Sequence, residues 1–223
     1  MNLRYLPIAL VPAMASSPLR AQQVGGAALV YNVQHRVLYG GAVREQTGMW
    51  LGAEGWVRTG RFQVAVRGLM GKLSGTADPA NPERDVRASS LALLLQAAPW
   101  VEVGAEAEAR RFESGASVAV WRLIGPVVRF RVDLGIPGLE AHADGSYFAA
   151  ASVAGGTSIQ PAARAAVGVR FAAPAAPVYA SVGYRFERFD VAATGGGGAL
   201  GASADRLEQF RGVVAGIGVR LGR

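Results

Sequence analysis

The chain has 223 residues, no cysteine and a formal net charge of +7, from 23 Lys and Arg against 16 Asp and Glu. The missing cysteines exclude disulfides and thiolate metal sites, and the scattered cations argue against a nucleic-acid partner, which would need them gathered on one surface. No run of about twenty apolar residues follows residue 21, so the sequence predicts no transmembrane helix.

The first 21 residues resemble a secretory signal peptide. Arg4 supplies a short positive region, and residues 5–15 are apolar but too few to span a bilayer. Cleavage is expected after Ala15 or after Ala21. We therefore divide the chain into a leader at 1–21 and a single β-domain at 22–223.

Through the rest of the chain, apolar and polar residues alternate with a period of two, which predicts β-strands and not helices. Ten segments show this pattern between turn residues, at 29–37, 49–57, 62–71, 90–97, 101–110, 124–133, 139–153, 163–171, 178–187 and 207–223. Tight turns are expected at 58–61, 98–99, 135–138 and 174–177. Longer connections alternate with them, at 75–85, 113–116, near 155 and at 192–205. Pro126 predicts a bulge or an unpaired amide in the sixth segment, because proline cannot donate to a sheet ladder.

The closing segment shows the alternation most plainly. One of its faces consists of Val213, Ala215, Ile217, Val219 and Leu221. The opposite face carries mainly glycine and arginine. A strand with two such different faces separates two different environments.

An even number of antiparallel segments, with tight turns alternating with longer loops, resembles the small outer-membrane β-barrels of Gram-negative bacteria, the group of OmpA, OmpX and OmpW. The resemblance covers 22–223 and rests on the repeat, with no catalytic motif. It implies an all-β fold, a closed antiparallel up-and-down transmembrane β-barrel of about ten strands, or of eight if 29–37 and 49–57 pair differently. It also implies the cell outer membrane as the location, with membrane lipid, lipopolysaccharide and the barrel-assembly machinery as partners.

The polar face predicts which side of the sheet meets lipid. It offers Gly, Ala, Ser and oppositely charged Arg and Glu, which suit a narrow packed lumen where buried charges must pair. The apolar stripes are expected to face lipid, among them Leu29, Tyr31 and Val33 in the first segment and Val153 in the seventh. Ser152 is expected to face the lumen.

The predicted lumen-facing charge network consists of Arg67, Glu102, Glu106, Glu108, Arg110, Arg129, Arg131, Glu140, His142, Asp144, Arg164, Arg170, Arg185 and Glu187. The three glutamates of the fifth segment are expected to pair across the interior with Arg67, Arg129, Arg131 or Arg164. On the outer face, interfacial girdles are expected from Phe62, Tyr147, Phe171 and Phe186, with Trp100 at a turn.

Little in the sequence indicates catalysis. His35 has no partner at metal spacing and is interpreted as a strand-end residue. His142 shares a face with Glu140, Asp144 and Ser146, but residues two apart on one strand lie about 7 Å apart, too far for a direct proton relay. The glycine run at 195–198 lacks the Lys-Ser/Thr of a phosphate loop and is interpreted as a surface loop. No enzyme activity, cofactor or metal is predicted.

The leading hypothesis is a non-enzymatic barrel, either structural or a narrow solute or ion pore whose Arg/Glu lumen sets any ion preference. Two alternatives remain open: an outer-membrane hydrolase acting on lipid A or peptides, and a soluble periplasmic barrel that binds an apolar ligand.

Overall fold

The computed structural model describes residues 22–75, 83–115, 117–153, 157–173, 175–192 and 206–222. The signal peptide predicted at 1–21 and the glycine run at 195–198 lie outside the described residues. Within the described ranges, no helix is long and apolar enough to cross a membrane.

The described chain is a single closed β-sheet. Its strands are β1 Gln22–Tyr39, β2 Ala42–Thr59, β3 Phe62–Gly75, β4 Arg84–Ala98, β5 Val101–Ser114, β6 Ser117–Asp133, β7 Leu139–Tyr147, β8 Ala150–Val153, β9 Thr157–Ala172, β10 Val178–Val191 and β11 Arg206–Leu221. Neighbouring strands pair antiparallel in chain order, and β11 pairs with β1 to close the ring. Because the sheet is closed, every strand has a hydrogen-bonded neighbour on each side. An open sheet would leave the backbone groups of its edge strands unpaired in hydrocarbon.

Strands β7 and β8 together form one stave of the barrel, which therefore has ten. Both pair with β6 on one side and β9 on the other. Between the pairs Val127–Ser146 and Ile124–Ala150, β6 advances three residues and its partner four. The bulge predicted at Pro126 thus exists, but its extra residue belongs to the neighbouring strand, which runs past a proline that has no amide to donate.

This bulge reverses the inward and outward faces of β8 relative to β7. Val153 pairs with the inward Trp121 and packs against the interior cluster, and Ser152 pairs with the outward Arg122. The sequence interpretation assigned these two residues to the opposite faces and was wrong there, because it carried one unbroken alternation through 139–153.

The connections fall at two ends of the barrel. One end carries the short turns after β2, β4, β6 and β9, with the first residues of β1 and the last of β11; we name it the turn end. The opposite end, the loop end, carries the connections after β1, β3, β5, β8 and β10. In outer-membrane barrels the short turns face the periplasm and the longer loops face outward.

The outer surface of the turn-end half is apolar around the whole ring. Each stave presents four or five successive outward residues without charge, over about the length that a tilted membrane strand needs. We name this surface the apolar belt; it comprises the outward residues of 24–30, 49–57, 62–70, 89–97, 101–109, 124–132, 139–147, 163–171, 178–186 and 213–221. Ile217, for example, is 72% exposed. Such a surface requires a hydrocarbon solvent.

Aromatic residues mark both borders of the apolar belt. Phe62, Phe171 and Trp100 lie at the turn end, and Tyr147 and Phe186 occupy the fifth outward positions of β7 and β10. All five are exposed. They have the placement of the interfacial girdles of membrane barrels.

Strand β1 departs from the predicted orientation. Leu29, Tyr31 and Val33 are buried inside the barrel, and Val30 and Asn32 face outward. The segment 29–37 was therefore assigned the wrong face. The other staves present their predicted apolar residues to the outside within the belt.

The belt predicts a position-dependent cost for a charge on the outer face. Leu93 is the third of five outward belt residues in β4, near the bilayer midplane, and Val118 faces outward in β6 beyond the belt. Leu93→Arg is expected to lower the free energy of unfolding by about 2–4 kcal/mol, and Val118→Arg by less than about 1 kcal/mol. Equilibrium unfolding in lipid vesicles, followed by tryptophan fluorescence, measures both; equal costs would contradict the belt.

Candidate functional site in the barrel lumen

The inward-facing residues divide the lumen into three layers along the barrel axis. The loop-end half is filled by apolar and aromatic side chains, which we name the aromatic plug. Next to it lies a layer of buried arginines and glutamates, which we name the charge layer. Between the charge layer and the turns lies a cavity lined largely by polar side chains.

Phe210 lies at the centre of the aromatic plug. Its ring centroid lies 5.9 Å from those of Trp50 and Phe112, 6.3 Å from Trp121 and 6.0 Å from Phe189. These residues come from five different strands, so the plug ties opposite walls of the barrel together. Its members are at most 8% exposed. In the described part of the chain, these side chains pack the loop-end half of the lumen closely.

A glycine makes room for the largest plug residue. On β3, a Cβ built on Gly71 would lie 2.6 Å from Cδ1 of Trp50 on the adjacent strand. No side chain larger than hydrogen fits there without moving the indole. The glycine at this inward position therefore has a packing role.

His35 closes the plug at the loop end. Its Nε2 lies 3.0 Å from Oε2 of Glu208, its Nδ1 lies 3.2 Å from Oε1 of Gln46, and its ring stacks on Phe210 at 4.2 Å. All three polar residues are buried. The interpretation of His35 as a strand-end residue is wrong: the histidine lies inside, where Glu208 and Gln46 satisfy both ring nitrogens.

Arg110 joins the plug to the charge layer. Its Nη1 donates to Glu187 at 2.7 Å, and its Nε donates to Glu108 at 2.9 Å. Its guanidinium carbon lies 5.1 Å from the ring centroid of Phe210 and 5.3 Å from that of Phe189. The cation is thus bound by carboxylates and covered by aromatic faces, the two surroundings that suit a desolvated guanidinium.

Two further arginines complete the charge layer. Arg164 donates to Glu108 at 2.8 Å and pairs with Glu106, and Ser146 donates to the same Glu106 oxygen at 3.0 Å. Arg185 donates from Nε to Glu187 at 2.6 Å. The layer contains three arginines and three glutamates, and none of these six residues is more than 6% exposed. It is therefore neutral, which its burial requires.

The cavity towards the turn end has a volume of about 120 Å³. Its lining includes Arg67, Arg129, Arg131, Arg170, His142, Glu54 and Asp144. These charged side chains are partly exposed to the cavity, unlike those of the charge layer.

The predicted lumen charges all lie on inward positions, and the structure settles their pairing. Glu106 and Glu108 contact Arg164, and Glu102 contacts Arg131 at 3.2 Å. Arg67 contacts Glu54 at 3.3 Å instead of a glutamate of β5. Glu140 lies 3.9 Å from Arg170.

Sequence reasoning missed several partners. Glu54, Arg58 and Glu208 were not in the predicted network. Arg58 pairs with Glu102 and donates to Gln63 at 2.8 Å, which fixes the lumen wall near the turn end. All three could have been found from the sequence, because each is an acidic or basic residue at an inward position. A buried charge in the lumen requires a partner of opposite charge.

The lumen brings together no catalytic relay in the described residues. Ser146 is held by Glu106 and Arg164 within the charge layer, and Nδ1 of His142 has no hydrogen-bond partner. No group of three or more His, Asp or Glu suitable for a metal ion occurs in the described part of the chain.

Comparisons with known proteins bear on the fold. No protein-family model and no curated protein matches the sequence. Outer membrane protease OmpT from Escherichia coli is structurally similar over 92% of this chain and 98% of that chain, with a TM-score of 0.51 and 11% identity. The translocator domain of autotransporter NalP from Neisseria meningitidis (96% and 92%, TM-score 0.42, 13% identity) and Neisserial surface protein A (89% and 96%, TM-score 0.36, 13% identity) are also similar.

At these identities the likeness shows the fold alone. Together with the apolar belt, it makes the chain a transmembrane β-barrel of the outer-membrane kind, which confirms the predicted fold class and resemblance. The outer membrane is the compartment in which such barrels reside. The soluble periplasmic alternative is wrong, because it requires the apolar face of the belt staves to point inward.

The charge layer predicts unequal costs for two adjacent arginines of β5. Arg110→Met leaves Glu108 and Glu187 buried with fewer partners and is expected to lower the free energy of unfolding by about 3–5 kcal/mol. Arg111→Met removes an exposed pair with Glu113 and is expected to cost less than about 1 kcal/mol. Urea unfolding of the barrel in vesicles gives both values, and a cost below 1 kcal/mol for Arg110→Met would contradict the layer's role.

Proposed function

We propose that this protein is a sealed, non-enzymatic outer-membrane barrel with a structural role. The observation that carries the proposal is the complete burial of the charge layer, between a packed aromatic plug and the turn-end cavity. A conducting pore lines its path with hydrated side chains. Here the inward side chains of the charge layer form hydrogen bonds with one another instead of with water.

A pore was the other form of the leading hypothesis, and the packing favours the sealed form. A solute crossing the lumen would have to separate Arg110 from Glu187 and Arg164 from Glu108 while displacing rings of the plug. Separating buried ion pairs exposes each charge to a low-dielectric surrounding, which costs several kcal/mol per ion.

Conductance in planar bilayers tests the sealed form. We expect no reproducible current steps from the folded full chain, because the charge layer and plug block the lumen. Insertion is verified by recovery of a heat-modifiable folded band from the same membranes, and a porin recorded under the same conditions provides the positive control. Discrete steps of constant size would contradict the proposal and support the narrow pore.

The absence of enzyme activity is part of the proposal and has its own test. His142 is the histidine that the hydrolase alternative requires, and it faces a cavity without a hydrogen-bonded acid or hydroxyl among the described residues. We expect His142→Ala to leave lipid A and peptide processing unchanged in cells and in vesicles. A specific loss of either activity in a variant that still folds would support the hydrolase.

A basic ring outside the belt supports lipid phosphate as a partner. Counted from the turn end, the sixth outward residue is cationic in six staves: Lys72, Arg87, Arg111, Arg122, Arg188 and Arg211. The acids that pair with three of these cations, Asp85, Glu113 and Asp190, lie one outward position farther from the belt. The cations thus lie nearest the lipid border, at the height of the head-group phosphates on the loop side.

We therefore infer that the basic ring contacts anionic head groups, those of lipopolysaccharide included. The outer-membrane fold also supports the barrel-assembly machinery as a partner during insertion. The distribution of the cations does not favour a nucleic-acid partner. Those of the lumen are enclosed, and those of the ring are distributed over six staves and do not form one basic surface.

Lipid retention tests the ring. Arg87 and Arg122 form no ion pair within 4 Å among the described residues, so Arg87→Gln with Arg122→Gln removes two uncompensated charges. Native mass spectrometry of barrels extracted from mixed phosphatidylglycerol and phosphatidylcholine vesicles should show fewer bound anionic lipids for this double variant. Arg36→Gln, an outward residue beyond the ring that pairs with Glu45, is the control and should retain the wild-type number. Equal retention of anionic lipid by the wild type, the double variant and the control would contradict the inference that the basic ring contacts head groups.

A further inference from the structure

The turn-end cavity is the one part of the lumen that the sealed-barrel proposal does not explain. It is about 120 Å³ in volume, enough for a few water molecules or a small ion, and it is not fully enclosed. A purely structural lumen has no need of a polar void, and elsewhere the inward residues pack together.

The cavity lining carries more cations than its own carboxylates neutralise. Beyond Arg185, which belongs to the neutral charge layer, four arginines line it against two acids: Arg67, Arg129, Arg131 and Arg170 against Glu54 and Asp144. Three of these arginines have partners. Arg67 contacts Glu54 at 3.3 Å, Arg131 shares Glu102 with Arg58, and Arg170 lies 3.9 Å from Glu140.

Arg129 is the cation without such a partner. Among the described residues it forms no ion pair within 4 Å, although Asp144 faces it across the β6–β7 ladder and Glu102 faces it across the β5–β6 ladder. Glu102 is engaged by Arg58 and Arg131 instead. The carboxylates of Asp144, Glu54 and Glu106 attract Arg129 without forming an ion pair within 4 Å, and a bound anion would accept hydrogen bonds from its guanidinium directly.

Further donors on the same wall also lack acceptors. Nε of Arg67, Nε of Arg170 and Nδ1 of His142 are buried without hydrogen-bond partners in the described structure. All three residues line the cavity. An anion there would bring acceptor oxygens to a cluster of side chains that can donate to it.

A glycine allows close packing of the cavity wall beside His142. A Cβ built on Gly168 would lie 2.8 Å from Cε1 of His142 and 2.5 Å from the carbonyl oxygen of Val182. Gly183 is the register partner of Gly168 on the next strand, so two successive inward positions carry no side chain. The two glycines therefore hold β9 and β10 close together and place the His142 ring against the wall.

We propose that the turn-end cavity binds a small oxyanion of the phosphate class. Tetrahedral anions match several guanidinium groups at once, because each arginine presents a planar fork of donors. The volume admits a phosphate-sized ion. The continuous ladders between staves close the wall to lipid, so the anion enters as a free solute from the turn end.

Calorimetric titration of the full chain, folded in a zwitterionic detergent, tests the site with inorganic phosphate. We expect saturable binding to the wild-type protein and at least tenfold weaker binding to Arg129→Gln. Arg36→Gln removes an arginine of the outer face that lies beyond the basic ring, and it is expected to bind within twofold of wild type. A heat-modifiable band verifies that each variant is folded.

A second variant reduces the volume of the cavity without changing the charge of its lining. Ala166 lines the cavity, and Ala166→Leu is expected to abolish phosphate binding while leaving the arginines in place. Competition with chloride at equal ionic strength should not displace phosphate if several guanidinium groups chelate it.

Three outcomes would overturn the proposal: no saturable binding to the wild type, an equal loss in Arg129→Gln and Arg36→Gln, or full displacement by chloride. A fourth concerns the source of the anion. If dodecyl phosphate binds, inorganic phosphate does not, and Arg129→Gln has no effect, the phosphate site lies on the outer surface and the cavity is not an anion site.

Discussion

The constraint on which the structure depends is the need to neutralise charge where water is excluded. Three arginines and three glutamates in the charge layer satisfy one another, and the aromatic plug covers the layer from the loop end. Removing any one of the six leaves an opposite charge buried. The layer therefore fixes which residues face inward on β5, β9 and β10, the strands that supply it, and with them the register of the ladders that these strands form.

The amphipathic pattern reverses at the height of the charge layer. On β5, Ala109 is the last apolar outward residue and Arg111 the first charged one, while Arg110 is the last charged inward residue and Phe112 the first apolar one. On β10 the same exchange occurs from Phe186 to Phe189. Below this height the barrel is apolar outside and polar inside, as lipid requires; above it the barrel resembles a soluble protein, charged outside and apolar inside.

This reversal explains what the sequence could and could not predict. Alternation predicted the strands of the belt and the inward position of their charges, because a single orientation rule holds there. The connection expected at 113–116 as a longer loop is instead a two-residue turn between β5 and β6. Alternation failed for Leu29, Tyr31 and Val33, because on β1 these apolar side chains face the lumen, where Val33 packs in the plug and Leu29 and Tyr31 also line the turn-end cavity. It failed for Val153 because a bulge shifts the phase by one residue.

The sequence predicted the face of the sheet on which a charged residue lies better than the residue with which it pairs. Inward positions follow from a period of two, but the partner of an inward charge depends on barrel closure and stave stagger, which bring distant strands together. Arg67 contacts Glu54 on the adjacent strand, whereas Arg164 reaches Glu108 across the interior. The buried pair of His35 and Glu208 joins residues 173 positions apart in the sequence, and no local signal marks it.

Three consecutive residues of β6 test the sealed lumen and its reversal most directly. The chain contains no cysteine, so Arg122→Cys, Leu123→Cys and Ile124→Cys each introduce one thiol: outward beyond the belt, inward in the plug and outward in the belt. With a charged maleimide on both sides of the vesicle membrane, only the cysteine at position 122 should react rapidly. Rapid labelling of the cysteine at position 123 would show water in the lumen and contradict the account.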